Sequence, residues 1–76
     1  SPEVLEDKLY ACPLIDECIV FGDGEEIAAN IFSVAAATEE SKAEEVRAFI
    51  KDLNRTLPRA EQIRKVNLSA EELLLR

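Results

Sequence analysis

The tripeptide Gly22-Asp23-Gly24 separates two runs whose side chains alternate with a period of two, and this constrains the fold more than any other feature of the chain. In the first run Ile15, Ile19 and Phe21 fall on one face, while Asp16, Cys18 and Val20 fall on the other. The returning run, Glu26 to Val34, places Ile27, Ala29 and Ile31 on one side and Ala28, Phe32 and Val34 on the opposite side. A tight reversal calls for positive φ, which glycine supplies without steric cost. The two runs therefore read as a β-hairpin covered on at least one side.

Helical spacing flanks the hairpin. Ser1-Pro2-Glu3 is a good helix start, with a capping residue, a proline suited to the first position and an acid at the positive end of the dipole. Val4, Leu5, Leu9 and Cys12 then recur at three- and four-residue spacing, predicting an amphipathic helix of about three turns that Pro13 stops. After the hairpin, Ala35 to Glu40 reads as a connecting loop whose three consecutive alanines could extend either neighbour, and Ser41-Lys42-Ala43-Glu44 reads as a capping box. Val46, Phe49, Ile50, Leu53 and Leu57 form the clearest apolar stripe in the chain, on a helix of about four turns closed by Pro58.

Ile63, Val66 and Leu68 mark a third, shorter strand. Ser69-Ala70-Glu71-Glu72 resembles another capping box, leading into Leu73-Leu74-Leu75-Arg76. The expected fold class is α+β, in the order α-β-β-α-β: a small, mostly antiparallel three-stranded sheet packed with two main helices.

Size and charge narrow the function. Seventy-six residues make one domain or part of one, and a chain this short buries only about 60% of the surface that its unfolded form exposes. A formal charge of -7 opposes nucleic-acid binding, which needs a basic face to displace counterions. No apolar stretch approaches the roughly 20 residues of a membrane span. Ser1-Pro2-Glu3 carries no signal-peptide pattern and reads as an interior start. Cys12 and Cys18 form no Cys-x-x-Cys pair and read as free thiols in a reducing cytoplasm, acting as small hydrophobes.

Residue chemistry by itself points to no catalytic group. The chain has no His, so it offers no imidazole base, no nucleophile-His arrangement and no basis for a zinc site. Its two glycines fit a turn rather than a phosphate cradle, and Asp23, Glu25 and Glu26 would repel an anion there. Those acids also lack the spacing of a calcium loop. Glu39-Glu40 and Glu44-Glu45 lie at helix starts, where the dipole explains them. Arg55, Arg59, Arg64 and Lys65 form a modestly basic stretch around Pro58 that reads as a solvated face.

Read in order, however, the chain resembles the C-terminal domain of the adenylate-forming (AMP-binding) superfamily, and most of all its long-chain acyl-CoA ligases. Ser1-Pro2-Glu3-Val4-Leu5-Glu6 is similar to the Ser-Pro-Glu-x-Ile/Leu-Glu stretch that opens that domain's first helix. Cys12-Pro13-Leu14-Ile15 matches its His/Ser-Pro-x-Val/Ile turn, and Asp16 to Gly22 matches the strand that follows. Glu45 to Leu53 fits the amphipathic helix, Asn54-Arg55-Thr56-Leu57-Pro58 fits an Asn-x-x-Leu-Pro ending, and Ile63-Arg64-Lys65-Val66 fits the strand leading to the last motif.

The resemblance implies a mobile lid of an enzyme that joins a carboxylic acid to AMP, with ATP and Mg, and then passes the acyl group to coenzyme A. It implies an N-terminal adenylation domain of the same chain as partner, and a cytoplasmic setting. The family's hinge with its Gly-rich loop would precede Ser1, and its Thr/Ser-x-Thr-Gly-Lys segment would follow Arg76, so residues 1–76 are expected to be a truncated subdomain, inactive alone. No catalytic and no metal-binding residue is expected within it. By the same resemblance Lys51, with Arg47 one turn earlier, is expected to meet a phosphate of coenzyme A. Two other classes compete. A carrier protein would need an Asp-Ser-Leu helix start and an all-helical fold, both opposed by the sequence, whereas a stand-alone α+β binding or regulatory module is consistent with it.

Overall fold

The structure, a computed structural model, describes residues 1–72. The elements follow as α1 (Pro2–Leu9), β1 (Glu17–Asp23), β2 (Glu26–Phe32), α2 (Val34–Thr38), α3 (Glu40–Asn54), a 3-10 turn (Arg59–Glu61) and β3 (Ile63–Ser69). The three strands form one sheet in the order β1-β2-β3. The fold is α+β, as expected.

The hairpin closes as the alternation requires, with Asp23 opposite Glu26 and Glu17 opposite Phe32. Only Gly24 uses glycine's freedom, at φ 69°, in the two-residue loop. Cys18, Val20, Ala29 and Ile31 face the core together with Leu5, Leu9, Cys12, Val46, Ile50 and Ile63. Both cysteines are buried and neither forms a disulfide.

The third strand departs from the expectation of a mostly antiparallel sheet. β3 runs parallel to β2, so the sheet is mixed. Its length is 7 residues, equal to that of each hairpin strand rather than shorter. The direction follows from the crossover. The 15 residues of α3 span about 22 Å, close to the roughly 23 Å of a seven-residue strand. One helix therefore carries the chain back to the end at which β2 began. The pairing register then slips, with Ile27 opposite Ile63 but Ala28 opposite Lys65, leaving Arg64 as an extra residue. That bulge lets Ile63 and Val66, three positions apart, both turn inward.

The helix boundaries also shift. α1 covers only Pro2–Leu9. Beyond it Cys12 N–H donates to the Leu9 carbonyl at 3.0 Å and Ile15 N–H to the Cys12 carbonyl at 3.1 Å, so tight turns replace the expected last turn. Val4 is 51% exposed and lies off the buried stripe, while Glu6 is buried instead. Ser1 sits at the cap position but makes no capping hydrogen bond through its side chain.

Val34, expected as the end of the returning strand, and residues 35–38, expected as loop, form the helix α2, while β2 stops at Phe32. Ser33 Oγ caps it by accepting from Ala36 N–H at 3.1 Å, and Asp16 Oδ2 accepts from Val34 N–H at 3.1 Å. Three alanines favour helix once such a cap exists, and the small side chains of Ala36 and Ala43 are both buried where α2 meets α3. Ser41 consequently lies inside α3, whose cap is the extended Glu39, and the expected capping box is absent. Ser69 ends β3, and its Oγ accepts from Glu71 N–H at 2.9 Å as a short turn. The leucine run at 73–75 lies outside the described residues.

Candidate functional site

α3 buries Ala43, Val46 and Ile50, which turns Arg47 and Lys51 outward one helical turn apart. Both side chains are exposed. Neither makes an ion pair among the described residues, although other cations nearby do. Lys42 pairs with Glu45 at 3.5 Å, Arg55 with Asp52 at 2.9 Å, and Lys65 with Asp23 at 2.8 Å and Glu26 at 3.8 Å. An uncompensated Arg and Lys four residues apart on a rigid helix suit one anion: a fork-shaped donor beside a point charge.

The basic stretch around Pro58 does not act as one face. Arg55 and Lys65 are engaged as above, whereas Arg59 and Arg64 line a cleft of about 560 Å³ with Glu25, Glu26, Ile27, Ala60 and Gln62. The two acids in the same cleft cancel much of the attraction for an anion there. The hydrogen bond from Lys65 to Asp23, then the charges of Asp23 and Glu26, hold the Lys65 ammonium pKa above its ordinary 10.5. Thus the acids of the hairpin turn are partly spent on binding a strand of their own sheet. Among the described residues no three His, Cys, Asp or Glu side chains converge as metal ligands.

Polar contacts that the sequence did not announce fix the platform on which α3 rides. β1 is an edge strand, and α1 runs alongside it. Glu6 Oε2 accepts from Val20 N–H at 2.8 Å, and the Tyr10 hydroxyl oxygen accepts from Cys18 N–H at 3.0 Å. Two successive outward donors of the edge are closed in this way. Burial raises the Tyr10 pKa above 10.0, the backbone bond from Cys18 works against that, and the nearby Glu17 charge adds to it. At the other end, Asn54 ties the end of α3 to the first residue of β3 through Ile63 N–H at 2.8 Å and the Ile63 carbonyl at 2.9 Å. The available signals were an acid at 6 between Leu5 and Leu9, and an amide closing the apolar stripe.

The family model for the AMP-binding enzyme C-terminal domain matches residues 1–72, all of the described chain. The chain belongs to this family. No curated protein and no solved structure matches it. As an AMP-binding C-terminal domain it is the lid of an adenylate-forming enzyme, a part of a larger molecule. The stretches that carried the resemblance now have physical roles in the domain. Ser1-Pro2-Glu3 opens α1, Cys12 to Ile15 makes the turn into β1, and Asn54 to Pro58 holds α3 to β3 while Leu57 is buried. No helix among the described residues is long and apolar enough to cross a membrane.

Proposed function

We propose that this domain is the mobile lid of an ATP-dependent, AMP-forming acyl-CoA ligase of the cytoplasm, close to the long-chain acyl-CoA ligases. Such an enzyme joins a carboxylic acid to AMP with ATP and Mg, then passes the acyl group to coenzyme A. The domain works against an N-terminal adenylation domain of the same chain, which holds the acid and the nucleotide. Rotation of the lid between the two steps exchanges the groups presented to the substrate.

The residues described here supply the rigid body and a binding face rather than reacting groups. The observation that carries the reading is the unpaired Arg47–Lys51 couple on α3. Its spacing and exposure fit a phosphate of coenzyme A, whose thiol accepts the acyl group. Lys51 supplies a point charge and Arg47 a planar fork, so the pair binds and orients the cofactor without taking part in bond making.

Titration of coenzyme A into the isotope-labelled domain tests this. The amides of Arg47 and Lys51 are expected to shift, less so with the analogue lacking the 3′-phosphate, and Lys51→Glu is expected to abolish the response. An unchanged response in Lys51→Glu removes the assignment. The chain alone is expected to give no ATP-pyrophosphate exchange, because none of its described residues acts on the reacting atoms.

A further inference from the structure

Among the described residues the sheet has a second face, turned away from the main core cluster. Alternation turns Glu17, Ile19 and Phe21 of β1, Ala28, Asn30 and Phe32 of β2, and Asn67 of β3 away from the buried cluster. Ile19, Phe21 and Phe32 are half-buried, yet none belongs to the core or packs against it. In the centre Asn67 Nδ2 donates to Asn30 Oδ1 at 2.9 Å, so the middle of the face is polar but internally satisfied. At the Phe32 end stands Glu17, opposite Phe32 in the register, and its Oε1 is buried with no hydrogen-bond partner among the described residues.

A buried carboxylate oxygen without a donor is costly, and an apolar surface beside it gains from being covered. The two needs are met together by one kind of occupant. We infer that the outer face of the sheet docks an apolar protein segment that presents a Lys or Arg to Glu17, with its apolar side chains against Ile19, Phe21 and Phe32. A basic residue is selected because the orphan atom is an anionic acceptor, and the domain's charge of -7 favours a cationic partner over an acidic one. This face is separate from the Arg47–Lys51 couple, so the inference stands or falls independently of the coenzyme A reading.

The test uses the isotope-labelled 76-residue chain and two synthetic helical peptides, one of Leu and Lys and one of Leu and Glu. The Leu/Lys peptide is expected to shift the amides of Glu17, Ile19, Phe21 and Phe32. Glu17→Gln should weaken it roughly tenfold, and Glu17→Lys should exchange the preference in favour of the Leu/Glu peptide. Equal affinity for both peptides, or shifts confined to α3, would overturn the inference. So would a concentration-dependent dimer built on this face, which assigns it to a second copy of the chain.

Discussion

The carboxamide of Asn54 grips both polar groups of one residue, accepting from Ile63 N–H at 2.8 Å and donating to the Ile63 carbonyl at 2.9 Å. It fixes the start of β3 against the end of α3, with Gln62 Nε2 reaching back to the Asn54 and Leu57 carbonyls at 3.1 and 3.2 Å. Asn54→Ala removes two partly buried hydrogen bonds at once. A loss of about 2 kcal/mol in urea denaturation is expected, and Asn54→Asp should lose part of that by deleting the donor alone.

Glu6 should be more sensitive to its acceptor than to its length. Its carboxylate meets Val20 N–H in a buried setting. Glu6→Ala leaves that donor unmet and reopens the edge of β1, for an expected loss of about 2–3 kcal/mol. Glu6→Gln keeps an acceptor and should cost less. Both are read by denaturant titration, with light scattering to follow edge-to-edge association.

Stability should fall in alkali. Tyr10 and Lys65 both hold their protons more tightly in the folded chain than their ordinary pKa values of 10.0 and 10.5 allow. The stability linked to them is therefore complete below about pH 10 and disappears as pH rises through their raised folded values. Thermal melts between pH 9 and about pH 12 should show the decline. Lys65→Met should remove the part that depends on Asp23.

The two glycines should respond differently. Gly24 has φ 69° and Gly22 an ordinary φ, while a methyl group at either position meets no atom within 4 Å. Gly24→Ala is expected to cost about 1 kcal/mol through the left-handed backbone alone. Gly22→Ala should be close to neutral.

In the core, Ile31 is fully buried near the end of β2. Ile31→Ala should cost about 2–5 kcal/mol, enough to unfold much of a domain this small, whereas Ile31→Val should lose about 1 kcal/mol. Near-ultraviolet and far-ultraviolet circular dichroism at several temperatures separate the two.

Local signals were legible in the sequence and long-range ones were not. The hairpin and the stripe Val46-Ile50-Leu57 follow from periods of two and 3.6 over short stretches, where neighbouring side chains decide the outcome. The direction of β3 depends on how far α3 carries the chain, which no local period encodes. α2 leaves little local signal because its five residues lack a stripe and depend on the caps Ser33 and Asp16, the latter 18 positions from the amide it meets. Glu6 broke the expected polarity of α1 because its partner, Val20, lies across a turn and in another element. At the candidate site, the spacing of Arg47 and Lys51 could be read directly, whereas their lack of acid partners required coordinates. The division of the basic stretch around Pro58, with Arg55 and Lys65 in ion pairs and Arg59 and Arg64 in a cleft, also needed the packed chain.

The bulge at Arg64 gives β3 one residue of slack. Removing Arg64 would leave Ile63-Lys65-Val66-Asn67-Leu68, a strand in regular alternation with the same three side chains turned inward. Removing Asn67 instead would rotate Leu68 out of the core. Loss of a codon is thus an almost silent event at one position of this strand and a disabling one three positions later.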